Sequence, residues 1–253
     1  MYYDINSSYV HGLAVLKDNI TWIWVNKDEA VVVDPAITNP VKDWLIKRKL
    51  KLLCVLQTHH HSDHIGGTQG LIKHWPKAAV VASRADANRI PFQTISVTDQ
   101  DEISFMGNQI KVLNVAGHTS AHVAYYISNE NNSKAKPYLF CGDTLFGAGC
   151  GRIFEGTAEE MHKSLNKLKG LPNETLVFSA HEYTESNLRW ALSIYPEDKL
   201  IEKRLKHVME TKKKGSLSLP SSILEEKETN LFFRSTSIDE FSSLRLNKDK
   251  WQG

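Results

Sequence analysis

A chain of 253 residues is long enough for one large domain or two modest ones, each burying its own core. Hydrophobic residues make up 41% and charged residues 24%, which excludes a disordered chain and a membrane protein; 31 basic against 29 acidic side chains (+2) exert no global pull toward nucleic acid. The cysteines Cys54, Cys141 and Cys150 are odd in number and widely spaced, so neither a disulfide framework nor a thiolate zinc site fits, and the cytoplasm is the expected compartment.

The N-terminus, Met1-Tyr2-Tyr3-Asp4-Ile5-Asn6, lacks the basic start and apolar run of a secretory signal, and no later stretch nears the roughly 20 apolar residues that span a bilayer. Residues 10–16, 21–25 and 30–33 read as short β-branched strands separated by polar turns, the third ending at Asp34-Pro35. A helix is predicted over 40–49 with Asn39 as N-cap and Pro40 in its first position. A buried strand over 51–56 runs into His59, His60 and His61, and a helix over 66–75 leads to a strand at 79–82. Strands follow near 103–105, 110–115, 122–127 and 138–141. A helix over 157–169 opens on Thr157 with Glu160 three residues later, the spacing of a capping box, and one more strand covers 175–179. After about 183 the strand signals stop, and helices are predicted over 184–194, 198–214 and 221–228, broken at Pro196 and at 215–220. The basic runs Lys203-Arg204-Lys206-His207 and Lys212-Lys213-Lys214 read as solvated helix faces.

Chemistry concentrates in 58–64, Thr-His-His-His-Ser-Asp-His, where four strong metal donors (His59, His61, Asp63, His64) fall within six residues. Imidazoles two apart on a non-helical turn can face one ion, and the following Asp-His pair can face a second. Four adjacent donors rarely close a tetrahedron, so further ligands are expected from elsewhere. Three strand ends offer them: His118 in Gly117-His118-Thr119-Ser120-Ala121-His122, Asp143 after Cys141-Gly142, and His181 in Ala180-His181-Glu182-Tyr183. A single histidine or aspartate at a strand end is usually a hydrogen-bonded structural residue. Several of them, arriving with a four-donor turn, are a metal centre. His11, His74, His162 and His207 lack this setting and receive no role.

These four motifs together resemble the metallo-β-lactamase superfamily. Within it, the loop Gly149-Cys150-Gly151-Arg152, the turn 180–184 and the region from Leu219-Pro220 to Asn230-Leu231-Phe232-Phe233-Arg234 resemble the glyoxalase II (hydroxyacylglutathione hydrolase) family over nearly the whole chain. The resemblance implies an α/β fold: a metallo-β-lactamase αββα sandwich over 1–182 and a helical substrate-binding domain over 183–253. It implies two divalent ions, zinc first with iron or manganese as alternatives. His59, His61 and His118 would hold one, Asp63, His64 and His181 the other, and Asp143 would bridge them, so that Asp63 and Asp143 are the catalytic carboxylates. A hydroxide shared by the two ions would cleave S-(2-hydroxyacyl)glutathione, with D-lactoyl as the expected acyl group, to a 2-hydroxy acid and glutathione.

The resemblance further implies that Arg152, Tyr183 and Arg234 meet glutathione. Phe154 stands where some members carry a tyrosine, and Ser237 where a lysine can occur, so Arg245 and Lys248 are expected to supply the missing charge. The expected partner is a small-molecule thioester, with no nucleic acid and no membrane, and the chain is expected to act as a monomer. The alternatives are a superfamily hydrolase of another thioester or ester, and a mono-iron persulfide dioxygenase; the complete second ligand set argues against the dioxygenase.

Overall fold

The structure, a computed structural model, describes residues 2–5, 8–128 and 136–252; of the N-terminal stretch read above, Met1 and Asn6 lie outside the described residues. One sheet runs in the order β1 (Tyr2–Ile5), β2 (Ser8–Val15), β3 (Asn19–Asn26), β4 (Glu29–Val33), β5 (Lys51–Leu56), β6 (Ala79–Ser83) and β7 (Ile95–Val97). Its first four strands are antiparallel neighbours, and β4 through β7 are parallel. The helices α1 (Thr38–Lys47), α2 (Ser62–Ile65) and α3 (Thr68–His74) supply the crossovers that parallel pairing demands.

The second sheet is built from β8 (Glu102–Phe105), β9 (Asn108–Asn114), β10 (Val123–Ile127), β11 (Tyr138–Gly142), the small hairpin β12 (Leu145–Phe146) and β13 (Gly149–Cys150) set apart from it, then β14 (Leu176–Ser179) and β15 (Ser221–Ser222). Its order is β15-β14-β11-β10-β9-β8, with β11 and β14 parallel. Around it lie α4 (Ala158–Lys169), α5 (Thr184–Ile194), α6 (Lys199–Lys213), α7 (Ile223–Thr229), α8 (Leu231–Arg234) and α9 (Ile238–Lys250).

The period of two along each strand explains the layering. In β4, Val31 and Val33 point into a cluster shared by both sheets, with Trp22, Trp24, Tyr125, Phe140 and Phe178, while Ala30 and Val32 point the other way onto Val41 and Leu45 of α1. Strand β5 repeats the split, Cys54 and Leu56 inward and Leu52 and Val55 outward. The far face of the second sheet, with Leu139, Cys141 and Val177, packs on Met161 and Leu165 of α4 and on Trp190, Phe232 and Phe241 from the later helices. The result is the expected αββα sandwich, and the helices after residue 183 share one continuous apolar cluster with α4.

Several local expectations need correction. Helix α1 begins at Thr38, so Asn39 lies inside it and Ile37 occupies the N-cap without a side-chain bond. The helix expected over 66–75 runs over 68–74, after a separate helical turn at 62–65, and Gly66 and Gly67 between them pack so closely on the backbone at Ala36 and Ile37 that a side chain at either would collide with it. The segment 221–228 opens as a two-residue strand on β14 before α7 begins. Helices α8 and α9 were not expected. Ser237, read above for the charge it lacks, is the N-cap of α9, accepting from the Glu240 backbone N–H. Arg204 is not on a solvated face: it is buried and bonded to Glu226 and Thr229. The capping box of α4 is as expected, with Thr157 and Glu160 bonded reciprocally. Among the described residues, no helix is long and apolar enough to cross a membrane.

Candidate metal centre

Strands β4, β5, β11 and β14 end on the same rim of the sandwich, and the turn between β2 and β3 closes over it through a bridge between Asn19 and His181. Polar groups at the carboxyl ends of parallel strands are where open α/β sheets place their sites. Two sets of donors meet there. His59, His61 and His118 form one group, and Asp63, His64 and His181 form the other. His59 Nε2 lies 3.0 Å from His61 Nδ1, and His118 Nε2 lies 3.2 Å from the same atom. In the second group, His64 Nε2 and His181 Nε2 are 3.4 Å apart, and each is 3.6 Å from Asp63 Oδ2.

Asp143 stands between the groups. Its Oδ2 is 3.4 Å from both His118 Nε2 and His181 Nε2, and its Oδ1 is 3.5 Å from His64 Nε2. Donors about 2.05 Å from one tetrahedral cation are separated by about 3.3 Å, the edge that this bond length sets. The observed spacings cluster around that edge. The buried Asp143 Oδ1 has no hydrogen-bond partner among the described residues, although a buried carboxylate oxygen almost always has one. The donor set therefore fits two cations with a shared carboxylate.

The far nitrogen of each buried imidazole is already engaged, which aims the near one inward. The Thr58 hydroxyl donates to Asp34 Oδ2 at 2.6 Å, so at 3.1 Å it accepts from His59 Nδ1 and leaves the lone pair on Nε2. His64 Nδ1 lies 3.1 Å from the same Asp34 oxygen, His118 Nδ1 is 2.7 Å from the Arg152 carbonyl, and His181 Nδ1 is 2.8 Å from Asp18 Oδ1. Asn19 Nδ2 donates to Asp63 Oδ2 at 3.0 Å. Asp34 has φ +47°, a left-handed conformation rarely adopted by non-glycine residues, and the bonds from Thr58 N, Thr58 Oγ1 and His64 hold it there. Gly142 (φ +49°) has no room for a side chain, because Thr58 and His122 press on it. His122 is not part of either group; its Nε2 accepts the Asp143 backbone N–H at 3.1 Å and fixes the carboxylate from behind.

Electrostatics divide the two groups. Burial, together with neighbouring histidines, pushes His59 well below its usual pKa and lowers His61; burial also lowers His118 against the pull of Asp143. All three are neutral at pH 7, the form that binds metal. Burial also opposes charge on His64 and His181, but Asp143 more than offsets it, with Asp34 helping at His64 and Asp18 at His181, and both are raised. Burial penalises the Asp143 carboxylate, yet His64 and His181 hold it well below the ordinary range.

Beside this centre a cavity of about 550 Å³ opens, lined by His118, Asp143, Arg152, Tyr183, Arg245 and Lys248 among others. Tyr183 stacks on His181 at 4.9 Å and donates its hydroxyl to Asp18 at 3.2 Å. Arg245 is buried, bonded to Asp249 and to the Cys150 carbonyl, and Lys248 sits 4.2 Å above the Trp251 ring. Arg234 is not brought into this cavity. It lies by a separate hollow with Tyr195, Leu231 and Leu244, and its guanidinium pairs with Asp198, the N-cap of α6, at 2.6 Å. Arg245 and Lys248, with Arg152, are the cationic side chains that line the cavity beside the donor groups. His60 turns away from both groups toward Arg89 and Glu155. Sequence reasoning missed Asp18, Asp34 and His122. Asp34 sat in an Asp-Pro pair that reads as a strand terminator, and Asp18 in a Lys-Asp-Asn turn.

A sequence model of the Metallo-beta-lactamase superfamily matches residues 15–181, and one of the Hydroxyacylglutathione hydrolase C-terminus matches 182–251. The chain is 58% identical to a hydroxyacylglutathione hydrolase of Prochlorococcus marinus (strain MIT 9303), covering 98% of this chain and 96% of that protein. It is 55% identical to one of Parasynechococcus marenigrum (strain WH8102), covering 97% and 98%. The crystal structure of ETHE1 from Myxococcus xanthus superposes with a TM-score of 0.70 at 25% identity, covering 96% of this chain and 92% of that one.

Proposed function

The chain belongs to the metallo-β-lactamase superfamily and, within it, to the hydroxyacylglutathione hydrolases, and from that premise we propose how its site works. It is a metal-dependent hydrolase of glutathione thioesters. The preferred substrate is S-D-lactoylglutathione, which water cleaves to D-lactate and glutathione. The observation that carries this reading is the convergence of two donor groups on Asp143 at the mouth of a cationic cavity.

His59, His61 and His118 would hold one divalent ion and Asp63, His64 and His181 the other, with Asp143 available to both; zinc suits the nitrogen-rich donors, and iron or manganese could occupy the same set. When bound, the two ions supply a Lewis acid for the thioester carbonyl and acidify water near neutral pH. The residues of the chain do the rest. Asp34, Thr58, Asp18 and the Arg152 carbonyl keep four imidazoles in one tautomer and orientation, so no reorganisation is needed as the substrate arrives. Asp63, ionised and half-exposed at the mouth, accepts the proton that the attacking water gives up. The departing thiolate is a good leaving group, since a thiol has a pKa of about 8.5, and needs little acid assistance. Residues 1–182 carry this chemistry, and 183–253 deliver Arg245 and Lys248 to the carboxylates of glutathione. The buried, unpaired thiols of Cys54, Cys141 and Cys150 suit a cytoplasmic enzyme. A monomer contains every residue named.

Lys248 gives the substrate assignment a pH signature. Burial, then the nearby Arg245 and Arg152, lower its ammonium to about 8. Lys248 is therefore cationic below pH 8 and loses its charge as pH rises through 8. KM for S-D-lactoylglutathione is expected to climb about 10-fold across that step, the worth of one charge-assisted contact. Lys248→Arg, which stays charged, should flatten the step, and a thioester lacking the glutathione carboxylates should not show it. A step of equal size in Lys248→Arg would remove Lys248 from the binding site.

A further inference from the structure

His118 is the member of the first donor group that comes from outside the 58–64 turn, so its placement sets how that group closes. Two segments hold it. The loop 152–156 wraps around the residue: the Arg152 carbonyl lies 2.7 Å from His118 Nδ1, and the Phe154 and Glu155 N–H groups donate to the His118 carbonyl at 3.2 and 3.4 Å. The turn 117–120, between β9 and β10, answers in the other direction. Ser120 N–H and Ser120 Oγ both donate to Glu155 Oε2 at 2.9 Å.

The other Glu155 oxygen accepts from Arg89 Nη1 at 2.6 Å. Arg89 belongs to neither segment. It lies between β6 and β7, where its Nε donates to the fully buried Asp86 at 2.7 Å. Its Nη2 reaches Ser120 Oγ at 3.4 Å, and its Nη1 lies 3.3 Å from His60 Nε2. A carboxylate shared by a backbone N–H, a hydroxyl and an anchored guanidinium is held in one geometry by charge-assisted bonds. Glu155 and Arg89 are not among the residues that line the cavity, so their bonds act on the ligand-bearing segments and not on a substrate. We propose that Glu155, locked by Arg89, is a positioning residue: it clasps the loop 152–156 to the turn 117–120 and so fixes His118 for the first ion. On the two-ion reading above, the effect is selective, because His64, His181 and Asp63 are oriented instead from Asp34, Asp18 and Asn19.

Zinc affinity, measured by competition with a chromophoric chelator, tests this in two backgrounds. Asp63→Ala disables the second donor group, and His118→Ala disables the first. Each is compared with and without Glu155→Gln, which keeps the shape of the side chain and leaves the Arg89–Asp86 pair in place. In Asp63→Ala, adding Glu155→Gln should weaken the remaining ion by about 10-fold, the lower end for a partner behind a ligand, since the clasp is partly exposed. In His118→Ala it should change nothing, as expected for two residues that act through the same ion. An unchanged affinity in Asp63→Ala overturns the proposal. So does equal weakening in both backgrounds, since the clasp would then support the fold and not the ligand. A wild-type protein that takes up only one zinc ion overturns the two-ion reading, and the proposal with it.

Discussion

Asp143→Ala is expected to strip metal from the enzyme and lower kcat by roughly a thousandfold or more, well beyond the 10- to 100-fold typical of losing a group behind a ligand. The reason is position. Its two oxygens lie 3.4–3.5 Å from imidazole nitrogens of both donor groups, so, on the proposed bridging role, one truncation would take a ligand from each. It also removes the carboxylate that stands beside His64 and His181, whose Nε2 atoms lie 3.4 Å apart. His60→Ala is the control. His60 sits between two of the proposed ligands in sequence, but its ring faces Arg89 and Glu155, and its loss should leave metal content intact. Elemental analysis and turnover on the same preparations decide the matter. An Asp143→Ala enzyme with normal metal and normal rate would refute the bridging role.

The second large effect is on stability. Arg204 and Glu226 form a buried pair, Nη2 to Oε1 at 2.7 Å, and the other Glu226 oxygen accepts the Ala148 N–H at 2.8 Å and Asn230 Nδ2 at 3.0 Å. Ala148 has φ +54° and forms the tip of the β12–β13 hairpin, so this carboxylate ties α6 and α7 to the loop that leads into Cys150 and Arg152. Glu226→Ala leaves the buried guanidinium with only the part-exposed Glu225 carboxylate, 3.3 Å away, and strands the Ala148 N–H and Asn230 donors, a change that costs about 3–5 kcal/mol. For a chain of this size that corresponds to a fall in Tm of about 10 °C. Thermal unfolding of the metal-loaded protein measures it. A variant melting within a degree or two of wild type would mean that the pair contributes little and that Arg204 finds water or another partner.

These cases show what a sequence can disclose. The histidine turn was legible because four donors in six residues have no structural use, and each strand-end partner gained meaning from it. The orienting carboxylates Asp18 and Asp34 were not, because an aspartate that bonds an imidazole over 160 or 30 residues away looks like any turn residue. Arg204 was hidden in a run of basic residues whose neighbours are solvated. Helix α9 buries Phe241, Leu244 and Arg245 but exposes Leu246, which blurs its apolar stripe. Arg234 was misread because it closes a recognisable motif, yet the last turn of α8 aims it at Asp198. Most strands were readable from their apolar, β-branched runs and the sandwich from the family resemblance, although the short strands β7, β12, β13 and β15 carry too few residues to register a period.

A two-cation site that hydrolyses a glutathione thioester can be checked by measuring S-D-lactoylglutathione hydrolysis and metal content on one sample while metal is removed and restored. Close to two divalent ions per chain are expected at full activity, with release of glutathione and D-lactate in equal amounts and loss of activity as the ions leave. Full thioesterase activity with one firmly bound ion, or two bound ions with no hydrolysis of this thioester, would contradict it.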